Sequence, residues 1–149
     1  TPLTELQQKA IRDFVQLADA MSAALAADDL AAFIKASAPA MKTTGALTEA
    51  LAGFPGVEAL DAAKHFHGFE DLKAARAAFH PFSLAATAVL EPLRKSPGFP
   101  ELKVWECPMV DQAIDGAPKK GRWIQAAARA GQNPFFGAEM LDCVKEIKP

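Results

Sequence analysis

The sequence is poor in several features that common protein classes need. It has no Tyr among its 149 residues. It has only two Cys, which excludes a dense disulfide framework. Sixteen Lys and Arg against eighteen Asp and Glu leave a net charge of -2, which argues against a surface built for nucleic acid or anionic lipid. The longest stretch without a charged residue, fourteen residues from Ala77 to Leu90, is too short to span a bilayer.

Alanine is the residue in excess, with 32 copies that lie mostly before residue 90. Because Ala has the strongest helix propensity, this composition predicts a mainly α protein. Eleven Pro and nine Gly mark the breaks between helices. We expect a single domain over residues 1–149, with an up-down bundle of three to four helices in residues 1–96. A small C-terminal part, residues 97–149, should contain a β-hairpin and a short closing helix.

The first helix has the clearest pattern. Its apolar residues recur at intervals of three and four, the spacing of one buried helical stripe: Leu6, Ala10, Phe14, Leu17, Met21 and Leu25. Thr4 and Gln7 form a plausible capping box at its start. Asp28 and Asp29 are candidate caps for a second helix.

The last helix of the bundle should begin near Phe69 or Glu70 and extend to Leu93. It contains Pro81, which lacks a backbone N–H and should kink or divide the helix.

The C-terminal part has a different sequence pattern. Residues 102–107 alternate in the manner of a strand, and residues 122–125 can pair back as a short second strand. Asn133 is a candidate N-cap, and residues 135–143 should form the closing helix.

Sulfur is concentrated in this part, which holds both Cys and two of the four Met. If residues 104–110 are extended, Trp105, Cys107 and Met109 point to one face. In the closing helix Met140 and Cys143 stand three residues apart and are neighbours on one surface. We therefore expect a metal site formed by Cys107, Met109, Met140 and Cys143.

Two thiols and two thioethers form a soft donor set. Such a set favours Cu(I), and by the same softness Ag(I), over hard cations such as Mg²⁺ or Ca²⁺. Zinc is less favoured, because it would recruit His or further Cys in place of Met. Trp105 could lie against the bound cation.

The same residues allow other interpretations. Met109 and Met140 could fill the core, and Cys107 and Cys143 could form a structural disulfide in a helical interaction module that docks on an efflux or sensor protein. A zinc site of Cys107, Cys143 and His80 is a third alternative. Of the three histidines, His65 and His67 fit surface positions best, whereas His80 is a candidate auxiliary ligand.

No catalytic motif accompanies these residues. Neither Cys lies in a nucleophile signature, and the glycines form neither a phosphate loop nor a dinucleotide fingerprint. The prediction is that the chain is not an enzyme.

Three ordered blocks resemble a known family: residues 105–110 (WECPMV), residues 121–125 (GRWIQ) and residues 133–143 (NPFFGAEMLDC). They are similar to the C-terminal signature of a domain of unknown function in bacterial periplasmic proteins. That domain is often attached to the adaptor, or membrane-fusion, subunits of copper and silver efflux pumps. The family usually has Gly after the last Cys, where this chain has Val144, and Tyr is common at the position where this chain has Phe135.

The resemblance implies a periplasmic domain that binds heavy metal, with Cys107, Met109, Met140 and Cys143 at the family's sulfur positions. A role in sequestration, delivery or efflux would follow, with an efflux-pump adaptor or a periplasmic metal chaperone as partner. The sequence shows no signal peptide, which suits a mature or excised form of an exported protein.

Overall fold

A computed structural model describes all residues, 1–149, and confirms a mainly helical chain with a small β part at its C-terminal end. The helices are α1 (Glu5–Ala26), α2 (Leu30–Ser37), α3 (Ala40–Ala50), α4 (Val57–Ala62) and α5 (Leu72–Leu90). A 3-10 turn, Glu91–Leu93, extends the end of α5. No helix has the length and apolar character needed to cross a membrane.

Side-chain caps define where the helices begin. The predicted capping box of Thr4 and Gln7 is present at the start of α1. Of the two candidate caps for α2, Asp29 accepts the hydrogen bond from the Ala32 N–H, whereas Asp28 has a left-handed backbone with φ of 55° and no part in that cap. Asp71 caps α5, which therefore begins slightly later than expected.

Of the two effects predicted for Pro81, a kink or a division of the helix, the division does not occur. Helix α5 continues through Pro81 as one element. Pro81 itself is exposed, while Phe79 and Phe82 on either side are buried in the core. Burial of the apolar face therefore outweighs the hydrogen bond that Pro81 cannot donate.

The sheet has three antiparallel strands in the order β2-β1-β3: β1 (Lys103–Cys107), β2 (Gly121–Gln125) and β3 (Lys145–Ile147). The pairing of β1 with β2 was predicted, and β3 was not. Cys107 ends β1 opposite Gly121, and Trp105 lies opposite both Trp123 and Glu146. Because β1 is the central strand, residues 104–106 are paired on both sides, and Cys107 is paired with β2.

The predicted closing helix over residues 135–143 is wrong. Only a 3-10 turn, Gly137–Glu139, forms there. Asn133 caps the turn just before it, since its Oδ1 accepts hydrogen bonds from the N–H groups of Phe135 and Phe136. Gly137 then adopts φ of 57°, a left-handed conformation that ends helical propagation.

One hydrophobic cluster joins the bundle to the sheet. It contains 31 buried residues, which extend from Leu3 to Phe136 and include Cys107. Phe135 links the two parts directly, because its ring contacts Phe79 of α5 and Trp123 of β2. The sulfur of Cys107 therefore belongs to the core.

Candidate metal centre

Two of the four predicted ligands meet in the structure. Cys107 stands at the end of β1, and Cys143 lies in the loop just before β3. Their Sγ atoms are 3.7 Å apart, although 36 residues separate them in the sequence, and both thiols are free. The juxtaposition follows from the pairing of β3 with β1, which returns the chain to the end of the central strand.

The two thiols have different surroundings. Cys107 is fully buried, whereas Cys143 is half-buried. Burial raises the pKa of the Cys143 thiol above its ordinary value, and the hydrogen bond and charge interaction with Cys107 raise it further. The Cys143 thiol is therefore neutral near pH 7 in the metal-free chain, and a bound cation would have to displace its proton.

Asn133 holds the loop that carries Cys143. Its side-chain amide donates to the Cys143 carbonyl at 2.9 Å, and its backbone N–H donates to the Leu141 carbonyl at 3.0 Å. Asn133 is fully buried, so these bonds are shielded from water. The segment folds back on Asn133 and brings Cys143 toward β1.

The two predicted thioethers flank this pair along the chain. Met109 follows Cys107 by two residues, after β1 has ended, and packs half-buried against the core. The extended strand expected for residues 104–110 thus stops at Cys107. Met140 starts the turn that ends at Cys143, with the Cys143 N–H donating to the Met140 carbonyl at 3.1 Å, and its side chain is 37% exposed. Coordination by Met109 and Met140 stays a prediction.

The remaining candidates lie elsewhere. His65 and His67 are exposed, as expected. His80 is buried against the Phe135 ring, with its Nε2 3.4 Å from the Pro118 carbonyl. No group of three His, Cys, Asp or Glu side chains is placed to hold a metal, so the trio of the zinc alternative is not assembled.

Trp105, which was expected to lie against a bound cation, contacts Gly131 and Lys103 in the structure. Its ring packs closely over Gly131, where an added Cβ would lie 2.8 Å from ring atoms. The Lys103 ammonium is 5.9 Å from the ring centroid, the range of a cation–π contact. The cation beside Trp105 in the structure is therefore Lys103.

An ion pair that was not predicted from the sequence lies next to this loop. Asp28 and Arg76 lie 2.7 Å apart, and both also bind backbone groups between residues 134 and 138. A signal was present in the sequence: Arg76 is the single charged residue between Lys73 and Leu90 in an otherwise apolar helix. An arginine in such a position needs a partner when the helix is buried.

The chain matches no protein-family model, no curated protein and no solved structure. A functional assignment thus depends on the site itself.

Proposed function

We propose that the chain binds a soft monovalent metal ion, Cu(I) or Ag(I), through Cys107 and Cys143 and serves in the sequestration, delivery or efflux of that ion. The observation that supports this proposal is the 3.7 Å separation of two free thiols at the end of β1.

The separation suits two ligands of one ion. Metal–thiolate bonds of about 2.3 Å at a tetrahedral angle place two sulfurs about 3.8 Å apart. The Sγ atoms of Cys107 and Cys143 need no rearrangement to reach that spacing. A preformed pair lowers the ordering cost of binding.

The donor chemistry favours Cu(I) or Ag(I). Two thiolates supply the negative charge, and thioethers of Met109 and Met140 would complete a three- or four-coordinate shell. Cys107 would hold the ion at the buried side. Cys143 and the partly exposed Met140 would form the side from which the ion enters and leaves.

The cellular setting is proposed from the resemblance in the sequence. We place the domain in the bacterial periplasm, where it would pass the ion to an efflux-pump adaptor or receive it from a metal chaperone. A structural disulfide between the same two cysteines, in a module that docks on such a partner, is the competing function, since the 3.7 Å contact also suits bridge formation after a small movement.

A competition titration tests the proposal. Reduced protein is titrated with Cu(I) in the presence of a chromophoric Cu(I) chelator. Parent protein should take one ion from the chelator. Cys107→Ser or Cys143→Ser should weaken binding by at least about a hundredfold, because loss of a residue that only supports a ligand already costs about ten- to a hundredfold. Met109→Leu and Met140→Leu should weaken it less.

Met41→Leu is the matched control, because Met41 is an exposed methionine on α3 and should not affect Cu(I) binding. Equal competition by parent and both serine variants contradicts the metal site. Failure of reduced parent protein to take up Cu(I), together with a bridge that persists under mild reduction, favours the structural disulfide.

A further inference from the structure

We infer that the Asp28–Arg76 ion pair is a positioning device, which fixes the turn before Cys143 to the helical bundle and so holds the Cys143 thiol beside Cys107. The inference deepens the proposed function and rests on it for the identity of the ion, but the positioning of the thiols can be measured without metal.

The ion pair connects three parts of the chain. Arg76, on α5, donates from Nη2 to the Asp28 carboxylate at 2.7 Å and to the Leu25 carbonyl at 2.6 Å. Its Nε donates to the Pro134 carbonyl at 2.8 Å. Asp28 accepts a further bond from the Ala138 N–H at 3.0 Å. The pair thus binds the backbone at both ends of the 134–138 turn.

The backbone of the 134–138 turn packs closely against the ion pair. Gly137 lies between the two anchoring points, and a Cβ added there would collide with the Asp28 carboxylate and the Arg76 guanidinium. Asp28 itself holds a left-handed backbone, which a non-glycine residue adopts at a cost. This conformation belongs to the cap of α1, in which the N–H groups of Asp28 and Asp29 donate to the carbonyls of Leu25 and Ala24, and it points the Asp28 carboxylate at Arg76 and Ala138.

The anchored turn is connected to Cys143 through Asn133. The Gly137 N–H donates to the Asn133 carbonyl, and the Asn133 amide in turn donates to the Cys143 carbonyl. A shift of the turn therefore moves the loop that carries the thiol. On its other side Cys143 is fixed by β3, so the ion pair supplies the second of two anchors.

The test measures the closure of the thiol pair in a glutathione buffer. Glutathione disulfide is the oxidant: one S–S bond forms between Cys107 and Cys143, and two molecules of reduced glutathione are released. The equilibrium constant for closure reports how well the two thiols are held together. Asp28→Asn, which tolerates the left-handed backbone, and Arg76→Lys should each lower it by about tenfold, the size expected for loss of a charge-assisted bond.

Asp61→Asn is the matched control. Asp61 also accepts from a cation, Lys64, and from a second helix through Thr48, but it has no contact with the sulfur loop. Its loss should leave the closure constant unchanged. Closure constants in Asp28→Asn and Arg76→Lys equal to that of the parent would overturn the inference.

Amide hydrogen exchange on the parent protein provides a second measurement, which does not depend on whether a variant folds. Coupling is reciprocal, so closing the thiol pair should slow exchange of the Ala138 amide, which donates to Asp28. The Ala74 amide, bonded to the Asp71 carboxylate, is the control and should not change. An unchanged Ala138 rate overturns the inference.

The two ideas fail in different ways. If the variants change closure but the parent takes up no Cu(I), the positioning device stands and the metal function fails. If the parent binds Cu(I) and the variants match it in both closure and affinity, the metal function stands and the positioning device fails.

Discussion

Burial shifts the protonation equilibrium of one residue, His80. Its side chain is almost fully buried, its Nδ1 has no hydrogen-bond partner, and its Nε2 lies near the Pro118 carbonyl. Burial lowers the pKa of His80 below 6.5, and the Pro118 carbonyl opposes that shift only in part. In the folded chain the imidazole is neutral at pH 7.

Stability should therefore fall in mild acid. Below a pH of about 6.5 the unfolded chain binds a proton at His80 that the folded chain does not, so the free energy of unfolding decreases as the pH falls toward the folded pKa. Above a pH of about 6.5 His80 is neutral in both the folded and the unfolded chain, so it does not change the free energy of unfolding. Urea unfolding at about pH 7.5 and about pH 5.5 should show a larger loss for the parent than for His80→Gln.

The exposed His67 is the control, and His67→Gln should keep the pH dependence of the parent. An equal loss of stability in His80→Gln and the parent would show that His80 is not held neutral by burial.

In helix α5, tertiary packing outweighs the local preference of one residue. Pro81 breaks the local hydrogen-bond pattern, yet the helix continues because Phe79 and Phe82 are buried on its inner face. Local propensity alone does not decide where a helix ends when its apolar face packs.

Replacing Pro81 should stabilise the protein. Pro81 is exposed, so Pro81→Ala restores a backbone donor for the Ala77 carbonyl without removing a core contact. We expect the free energy of unfolding, measured in urea, to rise by about 2 kcal/mol, after allowance for the greater freedom of the unfolded chain. Pro92, in the first turn of the 3-10 segment, is the control: Pro92→Ala should not stabilise. A lower stability for Pro81→Ala would contradict this explanation.

The elements differ in how well the sequence predicts them. The bundle and the pairing of β1 with β2 were predictable, because periodicity and capping residues act over short distances. The prediction of a closing helix was wrong because Asn133 and Gly137 also fit a one-turn cap. The competing bonds, which Asn133 donates to the carbonyls of Leu141 and Cys143, depend on residues farther along the chain. Strand β3 is three residues long and forms only against β1, so its own sequence carries little signal.

At the scale of the whole molecule, the fold brings two distant sulfurs together. The pairing of Cys107 with Cys143 was expected, but through a helix that does not form. The contact arises instead from β3 and from the loop folded on Asn133. The sequence marks Arg76 as a residue that needs a partner, but it does not identify Asp28, which lies 48 positions away and meets Arg76 only in the tertiary structure.

The helical bundle supports the loop that carries Cys143. Its contacts reach the C-terminal part through Phe135 in the core and through Arg76 at the surface of the 134–138 turn. Ion binding at the thiols should then stabilise the whole fold, because a ligand that binds only the folded state raises its stability.

X-ray absorption at the copper edge tests the metal site most directly. Reduced protein is loaded with one equivalent of Cu(I) and desalted before measurement. The proposal predicts a shell of sulfur at about 2.3 Å that includes both thiolates and is lost in Cys107→Ser and Cys143→Ser. A shell of nitrogen or oxygen alone, or protein that retains no copper after desalting, would contradict it.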